Sequence, residues 1–357
     1  QVLVVAHYPD GSVRDVTREA HLTSSNTESA LIREGAVVKG LRQGEGALLV
    51  RYEGKFLAVP MTILNPATGF SWKDLPRHNY IDEQIDTKLK RLKIQPSPRT
   101  SDAEFLRRVS LDLTGQLPST QRIRQFVSEK SSDKRSRIID ELIDSEAYID
   151  HWTLKWGDLL RSNSKFMGTK GVWIFREWLR QSIAKNKPYD TFVQELLTSK
   201  GSTFENPAAN FFRVGRTPQE TMEATTQLFL GVRMVCAQCH DHPFEKWTQN
   251  QYFQMSAFFA PIGIRPGFQS GEEIVYLKRH DNQLEHPKYG GTVEPKYLVP
   301  SHNSTDFSAV TDPRQPLSEW LTSKENPFFT RAIVNRVWSY FFGRGIIEPV
   351  DDIRASN

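Results

Sequence analysis

Two cysteines and a histidine lie together in the sequence with the residue types and spacing of a covalent cofactor site. Cys236 and Cys239 are the only cysteines among the 357 residues, and His240 follows directly, which gives the pattern C-x-x-C-H. In this pattern the two thiols add to the vinyl groups of a porphyrin, and the imidazole binds its iron. The spacing therefore predicts haem c attached through Cys236 and Cys239, with His240 as the axial ligand.

Two other chemistries use the same residues. His242 extends the motif to C-x-x-C-H-x-H, and thiolates and imidazoles are the ligands that zinc prefers. Four ligands within seven residues would strain a tetrahedral site, so a zinc site would also need ligands from elsewhere in the chain. The third alternative is a disulfide between Cys236 and Cys239, which an oxidising compartment would favour.

A second axial ligand for the iron is not evident next to the motif. His242 is only two residues from His240 and can hardly reach the opposite face of the haem. We take His240, His242 and Met255 as candidate metal ligands, although core packing also explains the methionine and an ordinary hydrogen bond also explains His242. Other candidates for the opposite face are Met234, His151 and His280.

Composition and charge narrow the class of protein. The chain is 38% hydrophobic and 25% charged, as expected for a globular protein, and its length predicts two or three domains. A net charge of +4 from 46 basic and 42 acidic residues is too small to indicate a nucleic-acid partner. No apolar run is long enough to span a membrane. We expect the chain to be a segment of a longer protein, so the missing export signal carries little weight.

Residues 1–65 have the pattern of a small all-β module. Short alternating runs are separated by turn residues at Asp10-Gly11, Gly44-Glu45-Gly46 and Glu53-Gly54. The predicted strands are Val2–Tyr8, Ala36–Leu41, Ala47–Tyr52 and Phe56–Ile63. This spacing favours a β-sandwich.

Residues 72–260 predict a mainly α-helical domain. Ser101 and Glu104 form a capping-box pattern that opens a helix through Leu113, and Ser119 or Thr120 caps the next. Further predicted helices are Tyr80–Lys93, Lys134–Asp144, Tyr148–Arg161, Trp173–Lys185, Thr191–Thr198 and Pro218–Met234, the last of which leads directly into the cysteine motif. Residues 261–315 predict an irregular or hairpin insertion, with strands at Ile274–Leu277 and Lys296–Val299, and residues 316–357 return to helix at Leu317–Leu321 and Phe328–Phe342.

The N-terminal segment resembles bacterial immunoglobulin-like modules of the group 2 type. Its matching segments are Tyr8–Ser12, Asp15-Val16-Thr17, Ser24-Ser25-Asn26, Gly35–Val38 and Gly44–Ala47. The resemblance implies an immunoglobulin-like sandwich that serves as an extracytoplasmic spacer or adhesion unit.

The helical region resembles the planctomycete cytochrome-associated domain of unknown function, the PSCyt type. The segments that carry this resemblance are Phe105–Pro118, His151-Trp152, Trp156–Arg161, Asn186–Asp190 and the block from Gln227 to Trp247. A second resemblance, to the start of the companion planctomycete-specific PSD domain, rests on Pro316–Leu321, Asn326–Phe329 and Arg331–Trp338. The resemblance implies a cytochrome context and a periplasmic or cell-surface location.

These observations predict an exported haem protein in electron transfer or a coupled oxidoreductase step, with redox proteins as partners. The alternatives are an enzyme that acts on an extracellular glycan and a structural surface protein. No G-x-S-x-G, P-loop or H-E-x-x-H motif is present, so the sequence assigns no catalytic residue and leaves open whether the protein is an enzyme. The tryptophan pair Trp152 and Trp156 at helical spacing could line a cofactor or sugar cleft, but core packing explains it as well.

Overall fold

The structure is a computed structural model that describes residues 1–65, 69–242, 245–280, 282–300 and 306–354. Two compact units can be distinguished, one that includes Gln1–Thr100 and one that includes residues 101–242 and Trp247–Ile353. The first unit is rich in strands and the second is mainly helical with a few strands. The predicted order of a strand-rich N-terminal part and a mainly helical part is therefore confirmed, whereas the immunoglobulin-like sandwich and the finer four-part division into domains stay predictions.

Small antiparallel sheets build the N-terminal unit. The described strands are β1 (Val5–His7), β2 (Val13–Asp15), β3 (His21–Ser24), β4 (Ala30–Arg33), β5 (Val37–Gly40), β6 (Gly44–Tyr52) and β7 (Lys55–Ile63). They pair as β1-β2, as β4-β5 and in the order β3-β6-β7. The long β6–β7 hairpin turns at Glu53-Gly54, where both residues have positive φ, as the turn pattern predicted. Strands β2, β3 and β4 were not predicted, and β2 is exposed along its whole length, so no buried face imposes alternation on it.

One helix belongs to the same unit. Helix α1 (Tyr80–Leu92) begins at a capping box formed by Asn79 and Asp82. Its charged face contacts the start of β6, where Glu45 pairs with Lys88 at 2.7 Å and with Arg91 at 3.2 Å. Such exposed pairs contribute little stability individually. They nevertheless show that the N-terminal unit extends beyond the strands.

The second unit contains the other described helices and strands. The helices are α2 (Asp102–Thr114), α3 (Thr120–Ser128), α4 (Lys134–Ile143), α5 (Glu146–Leu159), α6 (Ser164–Ala184), α7 (Tyr189–Thr198), α8 (Phe211–Val214), α9 (Pro218–Thr225), α10 (Gln249–Ser256), α11 (Arg314–Thr322) and α12 (Phe329–Phe342). The strands are β8 (Gly201–Ser202), β9 (Ile262–Pro266), β10 (Glu273–Leu277), β11 (Leu284–Glu285) and β12 (Thr292–Val293). Strands β8, β10 and β9 form one antiparallel sheet in that order, and β11 pairs with β12.

A large aromatic-rich core holds the helices of this unit together. Its fully buried members include Phe175 from α6, Phe212 from α8, Tyr252 from α10 and Leu317 from α11. Burying a large side chain of this kind stabilises the fold by roughly 1.5–3 kcal/mol. Because α11 contributes to the same core as α6–α10, the C-terminal helices and the central helices fold as one body. Within the described residues, no helix is both long and apolar enough to cross a bilayer.

Three predictions about local structure were wrong. The helix predicted over residues 218–234 ends much earlier, because α9 stops at Thr225 and one π-helical turn (Thr226–Leu230) follows. Gly231 then takes a left-handed conformation (φ 63°), which terminates the turn. Lys296–Val299 is not a strand, although Leu298 is buried in the core. Helix α6 begins at Ser164 rather than near Trp173 and is kinked at Gly168.

Candidate functional site

The segment 235–242, which we call the cysteine loop, places both thiols on the surface. Val235–Gln238 forms a single 3₁₀ turn, and the Ala237 N–H donates a 2.8 Å hydrogen bond to the Met234 carbonyl oxygen. Ala237 is fully buried, whereas Cys236 and Cys239 on either side of it are exposed and are free thiols. The small side chain at position 237 therefore anchors the turn in the core while the two thiols stay accessible to a reacting group.

The start of α10 holds the other end of the cysteine loop. The Asp241 carboxylate accepts a 2.8 Å hydrogen bond from the N–H of Gln249, the first residue of α10. The Gln249 side chain donates a 2.9 Å hydrogen bond back to the Gln238 carbonyl oxygen. A carboxylate at a helix N-terminus is favoured both by the free N–H groups and by the helix dipole. These bonds fix the loop on both sides of Cys239 and His240.

His240 is exposed, and its ring is oriented by the backbone. Its Nδ1 lies 2.7 Å from the carbonyl oxygen of Asp241. A carbonyl oxygen can only accept, so this contact requires a proton on Nδ1 and leaves the lone pair of a neutral imidazole on Nε2. Metal-bound histidines commonly have this arrangement, with one ring nitrogen donating to a carbonyl and the other ligating.

The other two predicted metal ligands have a different environment. His242 is 8% exposed, and its backbone N–H donates a 2.8 Å hydrogen bond to the Trp247 carbonyl oxygen. Met255 lies on α10 and is fully buried in the main core. The structure therefore presents Cys236, Cys239 and His240 at the surface, whereas it encloses His242 and Met255.

A buried tyrosine lies within electrostatic range of Cys239. The Tyr252 hydroxyl, on α10, donates a 2.6 Å hydrogen bond to the Glu223 carboxylate, on α9. Burial raises the pKa of Tyr252 above its ordinary value, and the hydrogen bond to the Glu223 carboxylate and the charge of that carboxylate raise it further. Tyr252 therefore stays protonated and joins α9 to α10 behind the cysteine loop.

The three chemistries predicted for the motif fit these residues differently. Within the part of the chain that the structure describes, no group of three or more His, Cys, Asp and Glu side chains could hold a metal ion. A zinc site would therefore need rearrangement of the loop. The free thiols could form a disulfide only by oxidation. Covalent haem needs two accessible thiols and one imidazole with an available ring nitrogen, and Cys236, Cys239 and His240 fit these requirements.

Sequence reasoning missed the residues that support the cysteine loop. The pattern Thr248-x-x-Gln251 is a capping box, and it could have predicted that α10 begins at Gln249. No local signal predicts that Gln249 would bond to Gln238, or that Tyr252 would bond to Glu223, because each pair joins separate segments. Those contacts depend on how the segments pack.

Comparisons with known proteins identify two regions of the chain. The family model described as PSCyt2, a protein of unknown function (DUF1549), matches residues 80–263. The family model described as PSD1, a protein of unknown function (DUF1553), matches residues 313–357. The first match includes the whole cysteine loop, and the order of the two matches is the order that the sequence resemblances predicted. No curated protein and no solved structure matches the chain.

Proposed function

The chain belongs to the family described as PSCyt2, a protein of unknown function (DUF1549), and we propose that it carries covalent haem c and takes part in electron transfer or a coupled oxidoreductase step. The observation that carries the proposal is the geometry of the cysteine loop. It exposes two free thiols at C-x-x-C spacing beside an imidazole whose Nδ1 lies 2.7 Å from a backbone carbonyl oxygen. When bound, haem supplies one-electron redox chemistry.

The chain's own residues would attach and orient this group. The Cys236 and Cys239 thiols would hold the haem through the two thioether bonds, and His240 would bind the iron through Nε2. The Asp241 carbonyl oxygen holds the His240 ring in the required tautomer, which also makes the ligand more basic. Because the thiols are exposed, a group attached to them lies at the surface, where a redox partner protein can approach it.

The proposed setting is outside the cytoplasm, in the periplasm or at the cell surface. Haem attachment of this type suits an exported protein, and the sequence resemblance to cytochrome-associated domains agrees with that location. The strand-rich N-terminal unit would then serve as an immunoglobulin-like spacer. Detection of the protein in a periplasmic or surface fraction of its native host tests this part of the proposal.

Expression in a host with haem-attachment machinery tests the central claim. We expect a red protein that stains for haem after denaturation and absorbs at roughly 400–410 nm, as haem c does. Elemental analysis should find iron rather than zinc. A colourless protein would overturn the proposal; one equivalent of zinc would then favour the metal alternative, and loss of both thiols without metal would favour the disulfide.

Two variants distinguish covalent attachment of the haem by the cysteines from binding of its iron by His240. Cys236→Ser with Cys239→Ser should abolish covalent haem, whereas His240→Ala should keep the thioether bonds and change the absorption spectrum of the iron. His78→Ala replaces an exposed histidine that is not a candidate ligand and serves as the matched control. If His240→Ala and His78→Ala had identical spectra, His240 would not bind the iron.

The attached haem should also stabilise the helical unit, because a group that binds only the folded state shifts the folding equilibrium. The double serine variant should therefore melt at a lower temperature than the haem-loaded parent. It should melt like the haem-free parent, since both cysteines are exposed and free. The N-terminal unit should be unaffected in all cases. A variant that melts like the haem-loaded parent would contradict the proposal.

A further inference from the structure

A cleft of about 390 Å³ opens in the helical unit where α5, the end of α6 and the start of α7 meet the end of α4. Its volume is within the range of pockets that hold small molecules. The cysteine loop contributes no residue to its lining. The cleft is therefore a separate feature that the proposed haem attachment does not use.

Aromatic side chains form the walls of the cleft. Tyr148, Trp152 and Trp156 are spaced four residues apart on α5 and line it from one helix face. Tyr189 and Phe192 line it from α7, with their ring centroids 5.7 and 5.2 Å from that of Trp156. Tyr148, Trp156 and Tyr189 are only half-buried. Core packing therefore leaves part of these rings accessible from the cleft.

Polar groups without partners accompany these rings. Asp144 and Asn186 are exposed lining residues, and their side chains make no hydrogen bond to the described residues. Tyr148 lines the same cleft, and its hydroxyl likewise has no partner among them. Trp152 is only 9% exposed, and its buried Nε1 has no acceptor among the residues that the structure describes. Leaving a buried donor unpaired costs about 1–3 kcal/mol.

The charges of the lining are unfavourable for an anionic ligand. Lys187, a lining cation, is already paired with Glu195 at 2.5 Å. The Asp144 carboxylate makes no ion pair with the described residues and would repel an anion. Burial raises the pKa of both Tyr148 and Tyr189, so both phenols stay neutral hydroxyl groups.

We propose that this cleft binds the ring of a neutral sugar. A sugar ring has a rim of hydroxyl groups and an apolar C–H face, and the C–H face suits the half-buried rings of Tyr148 and Trp156. Asp144 can accept hydrogen bonds from those hydroxyls, and Asn186 and Tyr148 can both donate and accept. A purely apolar ligand would cover the same rings but would strip water from these polar groups without replacing their hydrogen bonds.

Calorimetric titration with neutral trisaccharides, namely cellotriose, xylotriose and mannotriose, tests the proposal. Trigalacturonate is the anionic comparison. We expect saturable binding of at least one neutral trisaccharide, with quenching of tryptophan fluorescence, and binding of trigalacturonate at least tenfold weaker. Failure of all three neutral sugars to bind, or tighter binding of trigalacturonate, would overturn the proposal.

Substitutions of the lining residues test whether the sugar binds in this cleft. Trp156→Ala should weaken sugar binding at least tenfold, and Asp144→Asn should weaken it several-fold. Trp173→Ala is the matched control, because Trp173 is 64% exposed and does not line the cleft. If Trp156→Ala does not fold, as judged by circular dichroism, Trp156→Leu keeps an apolar side chain without the aromatic face and should also weaken binding. Equal affinities for the Trp156 and Trp173 variants would overturn the proposal.

The result of the sugar-binding test does not depend on the haem proposal. The double serine variant of Cys236 and Cys239 should bind the sugar as well as the parent does. A protein without haem that binds sugar would overturn only the haem proposal, and a haem protein that binds no sugar would overturn only this one.

Discussion

The carboxylate of Asp241 accepts a 2.8 Å hydrogen bond from the backbone N–H of Gln249 and thereby closes the cysteine loop onto α10. Asp241 is the residue directly after the C-x-x-C-H motif, and its own carbonyl oxygen lies 2.7 Å from His240 Nδ1. One residue thus positions the motif in two ways, through its side chain to a helix and through its backbone to the imidazole. The cysteine loop is built as a fixed surface feature.

Removal of this carboxylate should weaken the loop. We expect Asp241→Ala to lower the free energy of unfolding by about 1 kcal/mol, because the first turn of α10 loses an acceptor and a favourable charge. Urea denaturation measures the change. Asp140→Ala is the control, since Asp140 is exposed on α4 and makes no side-chain hydrogen bond or ion pair with the described residues. Equal stabilities for the two variants would show that the Asp241 bond contributes nothing.

Arg314 should be the most sensitive charged position of the C-terminal helices. It is 1% exposed, forms bonds of 2.9 and 2.8 Å to Asp312, and donates a 2.9 Å hydrogen bond to the Ser199 carbonyl oxygen. Arg314→Met leaves Asp312 without its partner and should cost about 3–5 kcal/mol of stability.

Chemical denaturation of Arg314→Met against Arg331→Met checks this expectation, because Arg331 is exposed on α12. The Arg331 variant should stay within about 0.5 kcal/mol of the parent. Adding Asp312→Asn to Arg314→Met should recover part of the loss, since it removes the uncompensated charge. A loss below about 1 kcal/mol for Arg314→Met would refute the role of this pair.

Asp351 should make stability depend on pH in the acid range. Burial acts to raise its pKa, but hydrogen bonds from Gln227 and Arg233, each 2.5 Å long, outweigh burial and hold the pKa below its ordinary value of 3.8. A group with a depressed folded-state pKa stabilises the fold above its unfolded pKa, and this contribution is lost as the pH falls through the folded-state value.

We therefore expect the free energy of unfolding to fall less steeply between about pH 5 and pH 2 in Asp351→Asn than in the parent. At neutral pH the variant should be roughly 1–2 kcal/mol less stable, because it loses hydrogen bonds to a charged acceptor. Asp140→Asn is the control, because Asp140 is exposed and makes no ion pair with the described residues. Parallel profiles for Asp351→Asn and the parent would contradict the expectation.

Gly115 should be required for the contact between the end of α2 and α5. It caps α2 with φ 67°, and a Cβ at this position would lie 2.5 Å from the Nδ1 of His151. Gly343 caps α12 with φ 73° and has open space around its Cβ position.

Alanine at either glycine carries the strain of a left-handed backbone, about 1–2 kcal/mol. Gly115→Ala should lose a further 1–3 kcal/mol, roughly, because the methyl group must displace the His151 ring. Thermal denaturation of the two variants measures the difference. Combining Gly115→Ala with His151→Ala should remove the added penalty; if it does not, the loss has another cause.

Some of the local start and stop signals of the helices were correctly predicted from the sequence. Ser101 caps α2 through the N–H of Glu104, which is one half of the predicted capping box, and Ser119 caps α3 through the N–H of Arg122, as predicted. Gly343 ends α12 in the left-handed conformation, also as predicted. Each of these signals acts within four residues, so its energy does not depend on the rest of the fold. The C-x-x-C-H motif is also a local signal, but its spacing leaves haem attachment, a metal site and a disulfide as alternatives.

Only the tertiary structure decided which of the candidate residues are accessible. His240 and His242 are two residues apart, yet one is exposed and the other is buried, and nothing in their spacing distinguishes them. Arg314 reaches a carbonyl oxygen 115 residues earlier in the chain, and the tryptophans of α5 line a cleft only because α7 lies opposite them. Such relationships arise when distant segments bury apolar surface together. The hydrophobic effect is not directional, so the apolar pattern of one segment does not specify which other segment will pack against it.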